Sequence, residues 1–186
     1  DDFYFSPNWD KILEDELKKI GHNNFYLSGT MMKNGQIDFN CGDSPDNFDE
    51  QKFLDNYKDH NHYDFQGSTW APSLVHRDTW NKVGGLSEEY FPGTGSDPDF
   101  NKKLWDLGIR IFKGINNFKV YHFVSTVIKR IHVHTKNESN IKSKAHKIFL
   151  LKWGVSINFF KKFYLNTNSE YLGPLKDPKK NIKFIF

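Results

Sequence analysis

The chain has 186 residues, with 26 basic and 23 acidic side chains and a net charge of +3. That balance gives no reason to expect nucleic acid as a partner, and the length suits one domain with a real core. A single cysteine, Cys41, excludes a disulfide framework and favours a reducing compartment, and no apolar run approaches the ~18 residues that cross a membrane as a helix. The expected location is therefore cytoplasmic. Basic residues gather after Lys113, notably at Lys129-Arg130, Lys142–Lys152 and Lys176–Lys183, while the first hundred residues lean acidic. This fits peripheral contact with anionic lipid at the inner membrane face, or with phosphate, although a solvated basic face is the commoner explanation. Aromatic residues make up 17%, 18 of them Phe, which points to aromatic-rich packing or a carbohydrate-facing surface.

In chain order, Phe3 to Phe5 reads as the end of a strand. Ser6-Pro7 is a helix start; Trp9, Ile12, Leu13, Leu17 and Ile20 follow at helical spacing, and Gly21 closes the helix. Phe25 to Met32 is β-like. The Gly, Asn, Asp and Pro content of Lys33 to Asn47 predicts a loop, and Asp49 to His60 a polar helix. His60, His62 and Asp64 have the composition of a metal cluster, but a polar loop of this kind is usually solvated and is given no role. Gly67 to His76 is expected as a strand through the middle of the domain, and Arg77 to Val83 as a short helix ended by Gly84-Gly85. Two further β-like runs, Ile109 to Phe112 and Phe118 to Phe123, are separated by Gly114 and two asparagines. Ser125 to Asn140 carries mixed signals and reads as loop with partial structure. Ile141 to Trp153 and Ile157 to Leu165 read as helices, and Asn166 to Phe186 as a polar segment wrapping the surface.

The chemistry concentrates in Gly93-Thr94-Gly95-Ser96-Asp97-Pro98-Asp99-Phe100. A glycine-rich loop runs into a helix whose first helical position is expected to be Pro98, which makes Asp97 the N-cap. Phe100, Leu104 and Leu107 then form one apolar face, and Gly108 ends the helix. Two carboxylates beside a flexible backbone suit a general base or an anion-handling group. The same eight residues also describe an ordinary capped surface helix, and His122 in its apolar strand reads either as a ligand or as a core histidine.

The pattern Arg77-x-x-Trp80-x-x-Val83-Gly84-Gly85-Leu86, an aromatic-glycine loop, Gly95-x-Asp97-x-Asp99-Phe100 and a helix ending in Leu107-Gly108 resembles the acceptor half of family-2 glycosyltransferases. Asp1-Asp2-Phe3-Tyr4-Phe5-Ser6-Pro7 is similar to the end of that family's Asp-x-Asp motif, with its few apolar residues and a proline. Val120-Tyr121-His122-Phe123 resembles its later histidine-bearing strand, and Lys152-Trp153-Gly154 a tripeptide found near the end of some members. The resemblance covers about residues 1–154, with 155–186 left as a C-terminal helix and tail. It implies an α/β, mixed-sheet A-type glycosyltransferase fold lacking its nucleotide-binding half. It implies transfer of a sugar, with inversion, from a nucleotide-diphospho-sugar to a saccharide or glycoconjugate acceptor. Asp97 would be the base; Asp2 and His122, with Asp1 beside them, would hold a divalent cation, Mn²⁺ or Mg²⁺. Trp70, Gly93, Thr94, Gly95 and Asp99 would face substrate. Ser96 stands where many members carry Glu, and Lys102-Lys103 where they carry Arg. With half of such a sheet missing, the open edge is expected to pair with a second copy, forming a homodimer, or to be covered by the C-terminal segment. Rival readings are a non-catalytic carbohydrate-binding or scaffolding domain and a metal-dependent phosphoesterase using Asp1, Asp2 and His122.

Overall fold

A computed structural model describes residues 2–60, 62–67, 72–91, 93–123 and 138–178. The protein is α/β with a mixed sheet. In order, the elements are β1 (Phe3–Phe5), α1 (Trp9–Ile20), β2 (Phe25–Met31), α2 (Glu50–Asn56), β3 (Phe65–Gln66), β4 (Ser73–Leu74), α3 (Arg77–Val83), α4 (Ser96–Asp106), β5 (Ile111–His122), α5 (Glu138–Trp153) and α6 (Ile157–Phe159). The last continues into a π-helical turn, Phe160–Tyr164.

The axis of the sheet is β5. β2 runs parallel along one side of it, from the Phe25–Ile111 pair to the Met31–Val120 pair. Its other side is shared by two short antiparallel strands, β3 at Lys113–Gly114 and β1 at Val120–His122. The two β-like runs expected around Gly114 are thus one twelve-residue strand. Asn116 and Asn117 do not interrupt it, because the register shift between Gly29 and Thr30 lets β5 bulge there while pairing resumes beyond. Gly114 stays in the strand for a steric reason: a Cβ on it would lie 2.0 Å from the Phe65 ring. The strand expected from Gly67 to His76 is also corrected. Gly67, at φ +66°, still donates to the Phe112 carbonyl of β5 at 2.9 Å but ends the pairing of β3; residues 68–71 lie outside the described residues, and of the described ones beyond them only Ser73 and Leu74 pair, at the sheet's edge, with Leu27 and Ser28 of β2.

Alternation along the strands sends side chains to opposite faces. Tyr26 and Phe112 pack with Phe100, Leu104, Trp105, Phe149 and Phe160 under α4, α5 and the π turn. Phe25, Leu27, Ile111 and Ile115 face Leu13 of α1. A third cluster, with Met32, Cys41, Phe53, Tyr121 and Phe123, closes the far end of β5 beneath α2. Inside α1, Glu16 is buried because it meets Lys113 at 2.6 Å, and Asp64 reaches the same ammonium at 2.9 Å.

The sheet's outer edges are short and partly covered. Beyond β4, Met31 accepts from the Ile37 N–H and donates to Gln36. The C-terminal segment lies on β3, where Gln66 donates to the Ser169 carbonyl and Tyr171 to that of Asp64. Among the described residues no helix is long and apolar enough to cross a membrane.

Candidate active site

Helix α4 begins two residues earlier than its sequence suggests. The cap is Gly95, in the left-handed region at φ +91°, so Asp97 occupies the second helical position and Pro98 the third. A Cβ at Gly95 would meet Tyr90 at 3.0 Å and Ala145 at 3.1 Å, so the turn that opens the helix needs glycine on both counts. The loop is pinned by Gly93 N–H donating to the Tyr90 carbonyl at 2.6 Å and the Ser96 hydroxyl to the Gly93 carbonyl at 2.7 Å. At the far end, Leu107 is 44% exposed and Trp105 takes its expected place in the core; Gly108, at φ +97°, ends the helix.

Asp97 sits half-buried in the first turn, where the helix dipole favours an anion. Its neighbours are Tyr26 on β2 and Lys161 on the π turn, and Asn101 donates to its backbone carbonyl at 2.8 Å. Burial pushes its pKa from 3.8 up to about 6, against the opposing pull of the Lys161 charge. Burial lowers the pKa of Lys161, with Asp97 opposing, and raises that of Tyr26, to which Asp97 adds. Next to this turn is a cavity of about 490 Å³ lined by Leu86, Ser87, Tyr90, Phe91, Gly93 and Ser96, and Phe91 stands 76% exposed at its rim. Thr94 lines a smaller hollow of about 70 Å³ against Ile141 and Ala145 of α5.

Asp99 does a different job. Its carboxylate is fully buried and its oxygens are taken by Ser87 Oγ at 2.6 Å, Trp153 Nε1 at 2.7 Å and Lys152 Nζ at 3.1 Å. Expected to face substrate, it instead ties α4 to the end of α5 and to the loop before Tyr90. The Lys152-Trp153 pair singled out in the sequence is its partner, a contact that no local pattern discloses. Lys102 and Lys103 are likewise engaged within the protein, with Asp106 at 2.6 Å and with the Gly85 carbonyl at 2.9 Å.

At the far end of β5, Asp2 and His122 come together. Phe123 N–H donates to the Asp2 carbonyl at 2.9 Å, and the Phe3 ring stacks on the His122 imidazole with centroids 4.9 Å apart. His122 Nδ1 is buried with no hydrogen-bond partner among the described residues. Burial lowers the pKa of the ring, and the nearby Asp2 charge opposes this. Asp1 and Trp70 lie outside the described residues. Among the described residues no third His, Cys, Asp or Glu completes a metal-binding group with these two. Nor do they adjoin Asp97 along the sheet: Tyr26 pairs with Phe112, and the Met31–Val120 pair lies five residues further along β2, about 16 Å at the rise of a strand.

Comparison of the chain with protein-family models, with curated proteins and with solved structures gives no match.

Proposed function

We propose that this chain is the acceptor-side part of an inverting glycosyltransferase of the A-type architecture, moving a sugar from a nucleotide-diphospho-sugar to a saccharide or glycoconjugate hydroxyl. The observation that carries the reading is Asp97. This carboxylate stands at a helix N-terminus after a glycine-rich loop, next in the chain to Ser96, which lines the open cavity, and burial raises its proton affinity toward neutrality. A base of that strength takes the proton of an acceptor hydroxyl as its oxygen attacks the anomeric carbon, an effect worth ~10²–10⁴-fold in rate. The exposed Phe91 ring, beside Tyr90 and Leu86, offers an apolar surface on which a pyranose can stack. Asp99 with Lys152 and Trp153 holds α4 and the loop in register, so that the base points where the backbone sends it.

A divalent cation in such a reaction neutralises the departing diphosphate. The buried, unpartnered Nδ1 of His122 beside Asp2 suits one, since two protein donors plus diphosphate oxygens and water satisfy a hard cation. The test is release of nucleoside diphosphate from a panel of nucleotide sugars by the complete polypeptide, with and without Mn²⁺, in the presence of saccharide acceptors. Turnover that depends on both donor and acceptor supports the proposal. Saccharide binding without turnover favours the non-catalytic carbohydrate-binding reading, and phosphate release from simple esters favours the phosphoesterase.

A further inference from the structure

A second cavity, of about 380 Å³, opens between the start of α1, the residues just past α2 and the bulged middle of β5. Pro7, Ile12 and Tyr57 give it an apolar wall, and Lys58, Asn117 and Lys119 a polar one. Lys119 is the most buried lysine among the described residues, at 3% exposure. Each of the other buried lysines has a carboxylate: Lys33 has Asp43, Lys102 has Asp106, and Lys113 has both Glu16 and Asp64. Lys119 has none within 4.0 Å among the described residues. Its Nζ donates to two neutral acceptors, the His60 carbonyl and Asn116 Oδ1, both at 2.7 Å, which leaves one of its three N–H groups over.

A buried charge without a counter-charge is costly, and the ordinary remedies are a shifted pKa or a bound partner. Burial does pull Lys119 down to about 8, against the pull of Asp64. Next to it, Ser6 donates its backbone N–H to the Lys119 carbonyl, and its own hydroxyl is fully buried with no partner among the described residues. A cavity with an apolar wall, a buried ammonium lacking its counter-ion and a second lysine at the rim has the make-up of a ligand site.

We propose that this cavity binds a small oxyanion on an apolar body, a carboxylate or phosphate monoester carried by an aromatic or aliphatic frame, with Lys119 and Lys58 as counter-charges. The site does not depend on the transferase reading and involves none of the residues given a catalytic, substrate or metal role in it.

The test is calorimetric titration of the 186-residue chain with phenyl phosphate, benzoate and, as the neutral control, benzyl alcohol. Binding of at least one anion at millimolar concentration or below is expected, with none of the alcohol; which anion binds tighter identifies the headgroup. Lys119→Met should weaken the anion by about tenfold or more, the loss of a charge-assisted contact, while its melting temperature holds or rises because an unpaired buried charge is gone. Should that variant not fold, exposed Lys58→Ala decides, with an affinity loss of about threefold or more expected. No binding of either anion, equal binding of benzyl alcohol, or affinity unchanged in the variants would overturn the proposal.

Discussion

Replacing Asp99 with Ala tests whether the end of α5 is what holds the candidate active-site loop in place. The wild-type carboxylate has no solvent exposure and accepts from Ser87, Trp153 and Lys152. Removing it strands the Trp153 N–H and the Ser87 hydroxyl, each costing ~1–3 kcal/mol if left unsatisfied. It also half-strands the Lys152 ammonium. Breaking a fully buried ion pair costs ~3–5 kcal/mol, but Lys152 is 28% exposed and keeps Glu89 at 2.7 Å, so its share is smaller. These losses overlap, and the net is about 3 kcal/mol. For a chain of this size that lowers the melting temperature by ~6–12 °C. Urea titrations followed by tryptophan fluorescence, run on Asp99→Ala, Lys152→Met and the double variant, give both the loss and the coupling. A loss below about 1 kcal/mol, or a coupling near zero, would show that the three-way contact does not hold the helices together.

Asp97 should behave in the opposite way. The folded protein holds its proton more tightly than the unfolded chain does, from 3.8 up to about 6, so the stability this group contributes falls as pH rises from about 4 to about 6. Because the residue still meets solvent, the drop is about 1–2 kcal/mol rather than the full ~3 that the shift implies. Asp97→Asn should abolish that slope and match or exceed wild-type stability at pH 7; stability that is lower than wild type at pH 7 and equal at pH 4 would contradict the assignment of burial as the cause. Gly114→Ala should cost ~1–3 kcal/mol, since the new methyl would overlap the Phe65 ring and push β3 from β5; denaturant midpoints equal to wild type would show that Phe65 swings aside freely.

The helices were largely legible because their signals are local. Gly21 at φ +68° and Gly84 at φ +71° end α1 and α3 as their positions in the sequence suggest, and Asp49 caps α2. The strands were read less well. Gly114, Asn116 and Asn117 look like breakers within β5, but one makes room for an aromatic ring and the others form a bulge, facts set by β3 and β2 rather than by their neighbours in sequence. The start of α4 lies two residues before the expected Asp97 cap because a left-handed Gly95 caps without a side chain. At the candidate site, the loop and Asp97 could be found from residue types and spacing, and the nearness of Asp2 to His122 from the resemblance. The burial of Asp99 against Lys152 and Trp153, the proximity of Lys161 to Asp97 and the burial of Lys119 with no carboxylate among the described residues could not. Each depends on contacts between residues far apart in the chain, for which a single sequence carries no sign.

The most direct test of the central claim is turnover by Asp97→Asn in the complete polypeptide, measured as nucleoside diphosphate released in the presence of acceptor. Asparagine keeps the shape and the backbone contacts of residue 97 and removes the proton acceptor. With donor binding unchanged and the fold intact, kcat is predicted to fall by about 100-fold or more, and the wild-type kcat to rise with pH through about 6, where Asp97 ionises. Retention of more than about a tenth of wild-type turnover, less than the loss of a general base allows, would contradict the role given to Asp97.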